Sequence, residues 1–303
     1  MSTLFTSNAT DGQRKQYGRM TEDAAMHGVR LALEKVEANS IGWQRVLEHG
    51  DELRTAIADV IVAKTRELSV SDQYADEEVT SSYGYLSGYK PKRITEQTNI
   101  LRQLFPGIGF ADEKLAEQPL PPNAEGWFAI PKWQTLAPTY GEAVEKVLAM
   151  IGSKRKFNNY RDGQFGAQYL RQHAKTVEMF QKLGDEQKGH DLPTGQAGIL
   201  IVACQFGLRH RGKSVRRARE IFEANEFGLD AFSVGIMLLT HPERLAHFDD
   251  LWIDCAGDDF APDADGRFSS APYFDFSSGH VEFDTYWVDD ALDYYGSASG
   301  FCP

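Results

Sequence analysis

Residues 199–219, ILIVACQFGLRHRGKSVRRAR, restrict the fold more than any other stretch of the chain. Ile199 to Phe206 is almost wholly apolar, which suits a strand covered on both faces. It runs directly into GLRHRGKS, and a helix is predicted from Val215. Gly207, Gly212, Lys213 and Ser214 occupy the four set positions of the phosphate-binding pattern G-x-x-x-x-G-K-[ST]. Six Lys/Arg and one His lie between Arg209 and Arg219 with no acid among them, in a chain of net charge −12.

The chemistry of such a loop is direct. Glycines let the backbone curl so that successive N–H groups face one point. The helix that follows adds unpaired N-terminal donors and the positive end of its dipole. The expected phosphate or nucleic-acid contacts are therefore Arg209, His210, Arg211, Gly212, Lys213, Ser214, Arg216 and Arg217. A second basic segment, Ser153 to Arg161, interleaves Lys154, Arg155 and Lys156 with Phe157 and Tyr160, as single-strand binders do, and supplies auxiliary contacts. The leading expectation is a non-enzymatic binder of phosphate or nucleic acid, whose affinity falls steeply with salt. A competing expectation is nucleotide-dependent phosphoryl transfer. Lys213 then holds the phosphates, Ser214 and Asp254 hold Mg²⁺, and Arg211 offsets developing charge. Two features oppose it: the bulky Leu-Arg-His-Arg interior of the loop, and the 89 residues after Ser214, too few for most of a parallel sheet.

A third expectation comes from charge. Residues 241–303 hold 14 Asp/Glu against Arg244 and Arg267 alone, while residues 1–240 are neutral overall. Complementary basic and acidic surfaces of this kind can join two copies, join a partner, or meet within one monomer, with Arg216 and Arg217 satisfied by Asp258 or Asp259.

Other constellations are weak. Asp263-Ala-Asp265-Gly266 matches only part of a calcium loop, because positions one and twelve are Ala261 and Pro272. No two of the eight histidines are spaced as a metal pair. His241 and His247 flank a short helix near the acids, and His190-Asp191 precedes the apolar run. Cys204 reads as a buried strand residue rather than a nucleophile. The three cysteines form neither a disulfide framework nor a zinc pattern. No apolar run approaches the ~20 residues that span a bilayer. The first residues lack the basic-then-apolar order of a secretory signal, so the expected location is cytoplasmic.

The predicted architecture is α+β, with a helical N-terminal part and a mixed-sheet, α/β-like C-terminal part. Residues 1–20 read as a loose arm, 21–190 as a mainly helical part, and 191–303 as a mixed α/β part with an acidic C-terminal region. Helices are predicted from Thr21, over 42–68 with a break at Gly50, over 95–104, 140–151 and 164–183. Tyr273–Phe276 and Val281–Phe283 flank Ser277-Ser278-Gly279 as a hairpin. Ile199–Phe206 and Leu251–Cys255 are expected as neighbouring interior strands of one sheet.

The run Leu208–Asp259, with LTHPERL and LWIDCAGD, and the ending YYGSASGFCP resemble a group of uncharacterised bacterial proteins. That resemblance implies a bacterial, cytosolic protein and carries over no site residues.

Overall fold

A computed structural model describes residues 11–68, 73–187 and 198–302. The chain divides into two compact units, Met1–Ser69 and Val70–Pro303. The mixed α+β class is as the sequence predicts.

The first unit is helical: α1 (Asp11–Lys35), α2 (Ser40–Glu48) and α3 (Gly50–Leu68). Asn39 starts α2, its side chain accepting from Gly42 N at 2.9 Å. The break falls where Gly50 suggests it. Residues 11–20, expected as arm, belong to α1, and the rest of that arm lies outside the described residues. No described side chain of residues 11–68 is buried; Val29, Leu33 and Val36 share a helical spacing but stay exposed.

The second unit carries the core and two sheets. A four-stranded antiparallel sheet has the order β1 (Gly126–Pro131), β4 (Ile199–Gln205), β11 (Ser299–Phe301), β5 (Glu226–Gly228). The second sheet contains β2 (Phe157–Asn159), β3 (Leu170–Gln172), β6 (Trp252–Asp254), β7 (Asp258–Phe260), β8 (Ser270–Ser277), β9 (His280–Trp287) and β10 (Tyr295–Ser297). Its central path is β10-β6-β8-β7-β3, with β9 on β8 and β2 on β9. Ala298 alone separates β10 from β11, so the chain crosses from one sheet to the other in a single residue. That step is pinned by Ala298 N donating to Asp254 O at 3.0 Å and Leu229 N donating to Ala298 O at 3.0 Å.

Every residue of β4 is buried, as its apolar run requires. Its neighbours are β1 and β11, however, and β6 lies in the other sheet. The expected pairing of 199–206 with 251–255 is thus corrected. An apolar run reports that both faces are covered, not which strand lies alongside. The expected hairpin is present as β8–β9, with Ser278 (φ 52°) and Gly279 (φ 84°) at the turn.

The helices of this unit are α4 (Ile94–Leu104), α5 (Tyr140–Lys154), α6 (Ala174–Glu186), α7 (Val215–Ile221) and α8 (Ala231–Thr240). Thr139 and Glu142 form a reciprocal cap that starts α5. The helix expected over 164–183 starts only at Ala174, because a turn with Gly163 at φ 75° and the short strand β3 come first. α8 is apolar nearly all round and almost wholly buried, as a helix between layers must be.

Candidate functional site

The glycine loop is built, but its concave side is filled by the protein itself. Gly212 has φ 73°, and a Cβ there would lie 2.2 Å from Val79 O. Residues 77–79 run along this side: Val79 N donates to Gly212 O at 2.7 Å, and Ser214 N donates to Glu77 O at 3.1 Å. Gly207, at φ 118°, admits the backbone of Gly296 from another direction. The loop amides are spent internally. Gly207 N donates to Gln205 Oε1 at 2.6 Å, Leu208 N to Tyr85 Oη at 3.3 Å, His210 N to Gly207 O at 3.0 Å, and Gly212 N to Tyr295 O at 2.9 Å. At the start of α7, Arg217 N is capped by Ser214 Oγ at 3.0 Å. The glycines at 207 and 212 serve close backbone approach between protein segments.

The cations are likewise paired within the chain. Arg209 meets Glu223 at 2.6 Å and Glu226 at 3.2 Å, and His210 Nε2 meets Glu226 at 2.7 Å. Arg211 donates to Tyr83 O at 2.7 Å. Lys213 pairs with Glu78 at 3.4 Å. Arg216 grips both oxygens of Glu77, with Nε at 2.7 and 2.8 Å, and Arg217 holds Glu78 at 2.6 Å and Glu220 at 2.8 Å. Ser214 Oγ donates to Glu77 at 2.6 Å. Burial would raise Glu77 and Glu78, but the facing arginines hold both below the ordinary carboxylate range. Asp259 is met by Arg219 at 3.0 Å rather than by Arg216 or Arg217, and Arg216 reaches the acidic C-terminal region at Asp289, 3.7 Å away. Of the alternatives expected for these charges, the basic segment meets acids within the chain, largely Glu77, Glu78, Glu223 and Glu226 rather than the acidic C-terminal region.

The remaining expected contacts do not join the loop in one site. Arg155 donates to Pro242 O at 2.8 Å and Leu245 O at 2.7 Å, while Lys154 and Lys156 are exposed. Asp254 is buried in β6, where burial pushes its carboxyl up to about 8 against the opposing charge of Arg219. Ser214 is bound to Glu77, so no Ser214–Asp254 cation pair is assembled. Among the described residues no group of three His, Cys, Asp or Glu is arranged to hold a metal. His241 is buried and lowered to about 4 by desolvation and by Lys92, its Nε2 accepting from Lys92 N at 2.9 Å. Cys204 is buried with its thiol pushed well up, consistent with a strand residue. His190 and Asp191 lie outside the described residues.

Gly212→Ala is expected to destabilise the fold by about 1–3 kcal/mol through left-handed strain and the Val79 clash. Chemical denaturation with and without MgATP checks this; the loss should be the same in both. A nucleotide-dependent stabilisation that the variant abolishes would restore the phosphate reading.

The sequence gives little sign of a different feature, a cleft of about 500 Å³ between β1, α6 and the start of α8. Trp133, Phe180 and Phe232 supply aromatic walls, Lys132 and Gln181 lie among the lining residues, and Asp230 and Ser233 line it from α8. Asp230 caps α8: its Oδ1 accepts from Ser233 N at 2.7 Å and its Oδ2 from Gln172 Nε2 at 2.6 Å. Burial drives its carboxyl up, opposed by the Ser233 and Gln172 donors. A second buried carboxyl, Asp258, accepts from Ala231 N at 2.7 Å and from the Tyr140 hydroxyl at 2.8 Å on each oxygen. Burial and the charge of Asp230 push it well up. The legible trace of this arrangement is a helix-starting Asp before an apolar run. A cap of that kind occurs in most folds, and the cleft needs β1 and α6 brought from far away in the chain.

Among the described residues no helix is long and apolar enough to cross a membrane. Comparison of the chain with protein-family models, curated proteins and solved structures finds no match.

Proposed function

We propose that the protein binds a small organic cation, such as an aromatic or aliphatic amine, in the cleft beneath Trp133 and Phe180. The observation that carries this reading is Asp230, a carboxyl 1 % exposed that nevertheless lines the cleft. Asp230 Oδ1 accepts from Ser233 N and Oδ2 from Gln172 Nε2, and a carboxylate oxygen can accept a further donor such as a ligand N–H. Aromatic walls favour an ammonium through their negative faces, and a concave, largely apolar lining with few polar groups is typical of small-ligand sites. An ammonium beside this carboxyl favours its ionised form and opposes the upward push of burial.

Ligand-observed NMR with matched amine, alcohol and carboxylate probes tests this. Amines should bind, and their affinity should drop at least tenfold in Asp230→Asn, equivalent to about 1.4 kcal/mol. Gln181→Trp, at an exposed lining position, should block the cleft without touching the core. Equal binding of all three probe classes, or amine binding indifferent to both variants, would remove the proposal.

A further inference from the structure

A separate constellation lies around Tyr85 and Phe206. Among the described residues Arg244 is the bulkiest wholly buried side chain, 0 % exposed. Its Nη2 donates to Phe206 O at 3.0 Å and to Leu251 O at 2.9 Å, and its guanidinium carbon sits 3.8 Å from the Tyr85 ring centroid. Its Nε and Nη1 are buried with no hydrogen-bond partner. Glu125 faces the same two residues: its Oε1 accepts from Tyr85 Oη at 2.6 Å and from Phe206 N at 3.2 Å, while its Oε2 is buried and unpartnered. Tyr89 packs its ring 5.7 Å from Tyr85 and 5.3 Å from Phe206, and its buried hydroxyl also lacks a partner. Four orphan polar atoms therefore belong to three side chains that all contact Tyr85 and Phe206.

Orphans of this kind are rare in folded proteins and ask for an occupant. A buried guanidinium bonded only to carbonyls and rings keeps its full charge in a poorly solvating place. Both donors to Glu125 converge on Oε1, so a proton on that carboxyl resides on Oε2. The site then presents N–H and O–H groups only. We propose that Arg244 Nε and Nη1, Tyr89 Oη and Glu125 Oε2 form an internal site for one small monovalent anion, of the halide or formate class.

The groups facing Glu125 are Tyr85, Tyr89, Cys204 and Arg244. Burial raises both tyrosines and the thiol, which leaves Arg244 as the charged neighbour. Burial also raises Glu125, against the pull of the Tyr85 hydrogen bond and Arg244. Anion binding should consequently favour the protonated form of Glu125.

The probe is bromide, applied to the full chain. Crystals grown in sodium bromide should show an anomalous peak within hydrogen-bond distance of Arg244 Nε or Nη1. In solution, bromide should raise the unfolding temperature saturably relative to gluconate at equal ionic strength. Its affinity should fall about tenfold per pH unit once Glu125 ionises. Glu125→Gln keeps a donor at Oε2 and should retain the bromide effect while losing its pH dependence. Arg244→Met should abolish the effect. A water in place of the peak, or equal melting in bromide and gluconate for the wild type, would overturn the assignment. So would a bromide effect that keeps its pH dependence in Glu125→Gln.

Discussion

Glu226→Ala is expected to lower stability by about 3–5 kcal/mol, because it strands buried partners rather than deleting one contact. Glu226 is 1 % exposed on β5 and accepts from four sources. These are His210 Nε2 at 2.7 Å, Ser299 Oγ at 2.6 Å, Arg209 Nε at 3.2 Å and Glu223 N at 3.2 Å. Burial alone would raise this carboxyl, yet His210, Ser299 and Arg209 hold it below its ordinary value. Its contribution is present above the unfolded carboxylate pKa and is lost as pH falls through the folded one. Urea denaturation at pH 7 should show a lower midpoint with an unchanged slope. Glu226→Gln, which keeps the volume and part of the hydrogen bonding, should lose less than half as much. A loss under 1 kcal/mol for the alanine variant would mean that the Arg209–Arg219 segment is not anchored through Glu226.

Asp254→Asn is expected to act in the opposite direction, and only at high pH. The folded carboxyl titrates at about 8, raised by burial from 3.8. The folded state therefore holds a proton that the unfolded chain releases. The contribution of Asp254 to stability falls as pH rises from about 4 to about 8 and is level beyond. Asp275, raised to about 7 by burial with Glu282 and Asp284 nearby, adds a loss of the same sign that ends one unit lower. Asn at position 254 cannot ionise, so the variant should match the wild type near pH 4.5 and exceed it by about 2–4 kcal/mol at pH 8. Chemical denaturation at both values measures the difference. An offset of the same size at both would show that Asp254 is not a proton-holding group in the folded state.

Much of the local structure was legible. The apolar run 199–206, the helix over 140–151, the Ser-Gly hairpin turn and the break at Gly50 depend on neighbours a few residues apart, and each is found in the fold. The glycine loop was also legible as a loop. Its partners were not, because Glu77, Glu78 and Val79 come from some 130 residues earlier and bond to its backbone and its cations. A basic run without acids looks unpaired only while the chain is read in one dimension. The cleft at Asp230 and the polar atoms around Arg244 escaped for the same reason. Their parts are an ordinary helix cap, an aromatic, a lone Arg and a Glu before a strand, unremarkable in isolation.

By itself, the sequence determined the periodicities, caps and turns, and with them the α+β class, since these follow from backbone sterics and from side chains within a turn or two. Tertiary structure alone decided that β4 and β6 lie in different sheets, that the cations of Arg209–Arg219 other than Arg211 meet the protein's own acids, and that Arg244 is sealed beside Tyr85. Burial and charge pairing depend on which distant segments meet, and that choice is made by the packing of the whole core rather than by any local run of residues.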